Sequence, residues 1–289
     1  MPQPSISSCF KAISKHECDY SLIPFENSSN GPVVLSYDLF RDFFVQHSHR
    51  DWQQFKGPDF EVIAEQFVSI HHNFISFGRD LGHVQRIYSH PQVWSQCNRF
   101  LEQLEEQCDH KIEKIDVSST SKAVSVLSMI KSRDQQGKSA AIASATASEI
   151  HGVPIQRTNI EDVHDNTTRF LVLGNRGSGG MIHFTPRTDK KLSEKKMTLL
   201  TFIIKDNDNF GSLCNILQVF KQHNLNLQTI STRPSRISAW RYVFFVEVWY
   251  EEKPLSAALV ELDTMVLDLA VIGTFYRPNK FFDMVGKRG

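Results

Sequence analysis

The sequence predicts an α/β chain built of two units. Before residue 174, apolar runs suited to strands alternate with stretches of helical spacing; the last ninety residues carry the order βαββαβ; and residues 174–197, between them, sustain no apolar periodicity. At about 150 residues per domain, a chain of 289 has room for two cores.

The elements follow in order. Ile6, Phe10 and Ile13 recur at helical spacing behind a Pro4-Ser5 cap. Leu22-Ile23-Pro24-Phe25 reads as a short buried strand ending at a proline, followed by a polar turn from Glu26 to Gly31. Past Pro32, Val33, Tyr37, Phe40 and Phe44 mark one face of a second helix. Residues 46–57, rich in His, Asp and Gln, read as a solvated loop, and residues 60–76 hold apolar and β-branched residues suited to strands. Ser89-His90-Pro91 sets a proline at a helix start, and Trp94, Cys97, Leu101, Leu104 and Cys108 then predict one helix. A further helix is expected from Ser121 to Met129, then a small-residue run from Ala140 to Ala147, and strands at Val153-Pro154-Ile155 and Phe170 to Leu173. Such alternation predicts a cleft where loops from separate strands converge.

Residues 174–197, rich in Gly, Lys and polar side chains, read as a connection. Beyond it, Thr198–Ile204 predicts a strand and Leu213, Ile216, Leu217 and Phe220 a helical face. Strands at Leu225–Ile230 and Tyr242–Tyr250, a helix through Leu255, Leu259, Leu262 and Val266, and a strand at Val271–Tyr276 complete a ferredoxin-like order.

Thirty-two basic residues balance thirty-two acidic ones, so no global field is available to hold nucleic acid or an anionic membrane. The five cysteines are odd in number with no C-x-x-C, which fits reduced thiols in a cytoplasmic protein better than a disulfide framework or zinc site. No apolar window approaches the roughly 18 residues of a membrane span. The glycines at 174, 177, 179 and 180 lack a following Gly-Lys-Ser/Thr, so a flexible connection is favoured over a phosphate loop. His47 with His49, and His71 with His72, lack the spacing of a familiar metal site.

Three polar constellations carry more: Glu26-Asn27-Ser28, Ser89-His90-Pro91-Gln92 with Gln96, and Asn166-Thr167-Thr168-Arg169-Phe170. Singly, they read as a turn, a cap and a strand start. Together they resemble the prephenate dehydratase family. Residues 22–28 with Gly31 are similar to its V-P-I-E-N-S-x-x-G, residues 89–97 to its S-H-P-Q-x-x-x-Q-C, and Thr168-Arg169-Phe170, preceded by Ile160-Glu161-Asp162, to its T-R-F element. Asp208-Asn209-Phe210-Gly211-Ser212-Leu213 resembles the D-x-P-G-A-L of the ACT regulatory domain that follows in that family, and Ile230-Ser231-Thr232-Arg233-Pro234 its I-E-S-R-P. Phe210, Ser212 and Ser231 stand where Pro, Ala and Glu are usual.

The resemblance implies a catalytic domain over 1–187 and an ACT domain over 195–289. The catalytic domain would be two-lobed, like periplasmic solute-binding proteins, with 1–76 and 151–187 in one lobe and 77–150 in the other. The implied activity is decarboxylating dehydration of prephenate to phenylpyruvate, in phenylalanine biosynthesis, by a homodimer or homotetramer that L-phenylalanine inhibits. Arogenate is an alternative substrate. The family's chains open with a strand and a G-P-x-G-T-F/Y-S loop that walls the substrate site, whereas this sequence begins at the helix after it. The expectation is lower activity than in an upstream-extended chain, and a binding protein without catalysis is the corresponding alternative.

The chemistry asks for little. Loss of carbon dioxide and the ring hydroxyl leaves an aromatic ring, and the departing hydroxyl accepts the electrons, so no cofactor is required. A tight ion pair to the leaving carboxylate would stabilise the ground state more than the transition state, so neutral donors suit better. The resemblance implies Thr168 as donor toward the departing oxygen and Asn27, Ser28, Ser89, Gln96, Arg169 and Phe170 as substrate-binding residues. Arg169, adjacent to Thr168 in a strand, is expected on the opposite face, which leaves a structural role equally open. Asn209, Gly211, Ser212, Leu213, Thr232, Arg233 and Pro234 are the implied phenylalanine-binding residues.

Overall fold

A computed structural model describes residues 1–45, 58–108, 110–177, 195–205, 209–278 and 281. Helix α1 (Ile6–Ser14) starts where Ser5 Oγ accepts the Ser8 amide hydrogen, and buries Phe10 and Ile13. Strand β1 (Tyr20–Asn27) buries Ile23 and Phe25 but exposes Leu22. It is therefore half-buried, and it runs through Pro24 rather than ending there. After β2 (Gly31–Pro32), α2 (Val34–Phe44) turns Tyr37, Phe40 and Phe44 inward, followed by β3 (Phe60–Ser69), β4 (Asn73–Ile75) and β5 (Arg86–Ser89).

The one helix expected across Trp94 to Cys108 is two, α3 (Pro91–Trp94) and α4 (Asn98–Cys108). Asp162 causes the break: its carboxylate accepts the amide hydrogens of Asn98 and Arg99 at 2.9 and 3.1 Å, which starts a new helix. Next come β6 (Glu113–Asp116), α5 (Thr120–Met129) and α6 (Arg133–Gly137). The small-residue run divides into a wholly buried strand, β7 (Ser139–Ala143), and α7 (Ala145–His151), with Ser144 capping the helix. Strands β8 (Ile155–Arg157) and β9 (Thr167–Asn175) complete this part. The C-terminal βαββαβ order is observed as β10 (Lys196–Ile204), α8 (Ser212–Gln222), β11 (Leu227–Pro234), β12 (Tyr242–Trp249), α9 (Glu252–Met265) and β13 (Val266–Tyr276). The expected loop at 46–57, with His47 and His49, lies outside the described residues, as do Gly179, Gly180, Asp208 and most of the connection.

The chain divides into two compact units, Met1–Val68 with Thr168–Gly289, and Ser69–Thr167. This corrects the expected lobe boundaries. Residues 69–76 and 151–167 belong to the second unit because β4 pairs with both β7 and β8.

In the first unit, one sheet has the order β2-β1-β9-β3 and the other, antiparallel, the order β11-β12-β10-β13 of a ferredoxin-like fold. Leu200, Phe202 and Ile204 of β10 pack under α8 and α9. Their neighbours Met197, Leu199 and Ile203 face the other way and share a core with Phe10, Phe25, Tyr37, Phe40 and Phe60. The C-terminal sheet thus has no solvent face over this area. Gly273 makes the approach possible, since a Cβ there would lie 2.1 Å from the Val62 carbonyl oxygen.

The second unit holds a sheet of order β6-β5-β7-β4-β8, with α4 on one face and α5 on the other. Strand β5 runs parallel to both β6 and β7. Its C-terminal end is the point where connections diverge, the usual ligand position in such sheets. Ser89 stands there.

Candidate active site

In the first unit, Asn27 and Thr168 are opposite partners in the antiparallel β1–β9 ladder, and Glu26 opposes Arg169. Opposed residues share a face, so the pairing makes two faces with different chemistry. On one, Asn27 Nδ2 donates to Thr168 Oγ1 at 3.1 Å. The amide is oriented by the turn that follows, where Asn27 Oδ1 accepts the Ser29 and Asn30 amide hydrogens at 3.0 and 2.9 Å. A hydroxyl that accepts one hydrogen bond becomes a better donor through its own hydrogen, which is the property a donor to a departing oxygen needs. Asn27, Thr168 and Phe170 are half-buried, and Ser28 is exposed in the turn.

The other face holds ions. Arg169 is 4% exposed. Its Nε donates to Glu65 Oε2 at 2.7 Å, Nη1 to Glu247 Oε2 at 2.8 Å and Nη2 to Glu247 Oε1, while Glu26 Oε2 lies 3.7 Å from Nη1. Arg277 Nε lies 2.9 Å from Glu65 Oε1. Burial pushes the Glu247 carboxyl up, but the Arg169 charge and fork overcome this and hold it down at about 2. Burial prevails at Glu65 and raises it. Arg169 therefore does not present its guanidinium to a substrate carboxylate: it is spent inside this cluster. Sequence reasoning missed Glu65, Glu247 and Arg277, although a single glutamate in Tyr242–Trp249, among inward apolar residues, was the available signal.

In the second unit, Ser89 is enclosed and its hydroxyl donates to the Ile142 carbonyl at 2.8 Å. It ties β5 to β7 and does not offer a donor. Gln96 is half-buried, and its Oε1 accepts from His72 Nε2 at 2.7 Å, which turns the amide nitrogen away from the ring. His72 is held in turn by Glu161, whose Oε2 accepts the His72 amide hydrogen at 2.9 Å and whose Oε1 pairs with His71 Nδ1 at 2.8 Å. Burial raises the Glu161 carboxyl, but these hydrogen bonds prevail and hold it below the usual range. Glu161 and Asp162 thus build the loop that sets Gln96 and α4. Among the described residues, no group of three or more His, Cys, Asp or Glu is arranged to hold a metal ion, and no helix is long and apolar enough to cross a membrane.

The residues expected to bind an effector lie in the ferredoxin-like part of the first unit. Gly211, at φ +79°, precedes α8, and Ser212 Oγ donates to the Asn209 carbonyl at 2.9 Å, with Leu213 half-buried in the first turn. Along β11, Thr232 and Pro234 face outward while Arg233 faces inward, donating from Nε and Nη2 to Asp38 of α2 at 2.8 and 3.2 Å. Burial raises the Asp38 carboxyl, and Arg233 with Arg41 and Arg236 pulls it below its ordinary value.

These features define an α/β fold with a neutral amide set beside a threonine in the first unit and with a ferredoxin-like C-terminal part. A sequence model of the family described as prephenate dehydratase matches residues 1–178. A probable prephenate dehydratase of Saccharomyces cerevisiae is 37% identical, over 98% of this chain and 89% of the relative. The chain belongs to the prephenate dehydratase family. Among solved structures, prephenate dehydratase from Arthrobacter aurescens in complex with L-Phe matches with a TM-score of 0.74 at 21% identity, covering 96% of this chain and 81% of that one. A protein described as a novel type of quorum quenching acylase matches at 0.70 and 20% identity, covering 96% and 88%. These likenesses establish that the chain shares the α/β fold of those structures over nearly its whole length. At such identity they speak to fold alone.

Proposed function

We propose that the chain converts prephenate to phenylpyruvate, with Thr168 Oγ1 donating to the departing ring hydroxyl while the ring carboxylate leaves as carbon dioxide. The observation that carries this reading is the hydrogen bond from Asn27 Nδ2 to Thr168 Oγ1 at 3.1 Å, which polarises the donor without a counter-charge on the leaving carboxylate. Gln96 supplies a neutral amide donor to the substrate, its direction set by His72. Ser28 and Phe170 line the same substrate site beside Asn27 and Thr168. The catalytic domain is assigned to 1–187 and the ACT domain to 195–289. L-Phenylalanine is the proposed effector, taken by Asn209, Gly211, Ser212, Leu213, Thr232, Arg233 and Pro234 in an assembly of at least two chains, and the cytoplasm is the proposed location.

The test is Thr168→Ala. Turnover should fall by about 10² to 10⁴, the range for losing a proton donor, with thermal stability nearly unchanged. Full activity in that variant would remove Thr168 from its role. Arogenate assayed beside prephenate decides the substrate, and faster turnover of arogenate would put it in the place of prephenate.

A further inference from the structure

The buried cluster around Arg169 bears on catalysis as well as packing. The pleat sends the Thr168 and Arg169 side chains to opposite faces of β9, so whatever fixes one fixes the peptide that carries the other. Arg169 is fixed at three points: Nε on Glu65 of β3, and both terminal nitrogens on the Glu247 carboxylate of β12. A fork meeting a carboxylate sets the plane of the guanidinium as well as its position. The Phe25 ring lies against the same group, 5.3 Å from its central carbon. Glu247 is itself oriented, since its Oε2 also accepts the Thr229 hydroxyl hydrogen at 2.8 Å. Buried ion clusters of this kind are seldom more stable than the apolar packing that could replace them, and their best-attested use is to fix register.

We infer that Glu247, in the C-terminal sheet, is a positioning residue for the dehydration, holding Arg169 so that Thr168 Oγ1 meets Asn27 Nδ2. The inference rests on the reading of Thr168 as proton donor. Thr229 extends the link to β11, the strand that ends in Thr232, Arg233 and Pro234. A change at that end of β11 therefore has a path of three hydrogen-bonded side chains to the residue beside Thr168.

The experiment uses the full chain. Glu247→Gln keeps the shape and one acceptor but removes the charge, and Thr229→Val removes only the hydroxyl. With prephenate, kcat should fall about 10- to 100-fold in Glu247→Gln and about 2- to 10-fold in Thr229→Val, with KM within about twofold of wild type. In a Thr168→Ala background neither change should lower kcat further, because the group they orient is gone. If Glu247→Gln fails to fold by circular dichroism, Thr229→Val alone carries the comparison. Wild-type kcat in folded Glu247→Gln or Thr229→Val protein, or losses that add to that of Thr168→Ala, would overturn the inference while leaving Thr168 as donor. Full activity of Thr168→Ala by itself would overturn the reading of Thr168 and the inference with it.

Discussion

Asn27→Asp is the sharpest probe of the Asn27–Thr168 pair, because it changes one donor and little else. The acceptor that holds the Ser29 and Asn30 amides survives as a carboxylate oxygen, so the turn should stay intact. The Nδ2 donor, 3.1 Å from Thr168 Oγ1, becomes an anionic oxygen. Thr168 must then donate to the new carboxylate, and the hydrogen meant for the departing oxygen is consumed. A second effect adds to the first: at about 6 Å from the departing oxygen and an effective dielectric near 20, the new charge opposes the developing one by about 3 kcal/mol, roughly a hundredfold in rate. The expected loss in kcat is about 10² to 10⁴, with the thermal midpoint moved by no more than about 2 °C, the shift worth about 1 kcal/mol in a chain of this size. Asn27→Ala should show the reverse balance. It loses the single acceptor of both turn amides, so its midpoint falls further, but Thr168 keeps its hydrogen and kcat falls less. Steady-state formation of phenylpyruvate and a calorimetric midpoint for each variant decide the matter. A kcat for Asn27→Asp equal to or above that of Asn27→Ala would refute the reasoning.

His72→Phe should free the Gln96 amide to turn and raise KM for prephenate about 2- to 12-fold, the cost of one hydrogen bond; an unchanged KM would show that the His72 contact does not orient Gln96. Arg233→Ala should raise the phenylalanine concentration for half-inhibition at least about tenfold, and an unaltered inhibition curve would remove Arg233 from the effector residues. The lowered Glu161 carboxyl contributes stability that is complete above the unfolded value of about 4.3 and lost as pH falls through the folded value. Calorimetry should therefore find the gap in stability between wild type and Glu161→Gln widest near pH 7 and shrinking below about pH 4, and a gap independent of pH would contradict this account.

The sequence carried the fold wherever one periodicity dominated. The βαββαβ order was readable because each C-terminal element shows a clean period, as with Leu213, Ile216 and Phe220 along α8. The break between α3 and α4 was not readable, since Trp94, Cys97 and Leu101 keep helical spacing across it, and the cause, Asp162, lies far along the chain. The division of Ala140–Ala147 was hidden for another reason: a wholly buried strand of small residues has no polar face to alternate with. Motif spacing singled out Asn27 and Thr168, which the β1–β9 ladder brings into hydrogen-bond contact, but it could not tell a presented side chain from one already engaged. Ser89 and Arg169 both sit in recognisable motifs, and both have their hydrogen-bonding capacity taken by partners distant in sequence, Ile142 for one and Glu65 with Glu247 for the other.

The two chemically distinct faces of the β1–β9 ladder depend on one residue. Ahead of the irregularity, Pro24 opposes Phe170; after it, Glu26 opposes Arg169 and Asn27 opposes Thr168, so Phe25 is the additional residue of a bulge. Continued without the bulge, the register would set Asn27 against Thr167 and Glu26 against Thr168. A carboxylate would then face the Thr168 hydroxyl and accept its hydrogen, and Arg169 would lose the partner it meets across the strand. Pro24, which has no amide hydrogen to give to a ladder, makes an interruption at this point inexpensive. Phe25 then anchors it, fully buried, with its ring 4.4 Å from that of Tyr37 and against the Arg169 guanidinium. The proline and phenylalanine ahead of Glu26-Asn27 are thus part of the site's construction: they decide which of two neighbouring polar side chains reaches the threonine.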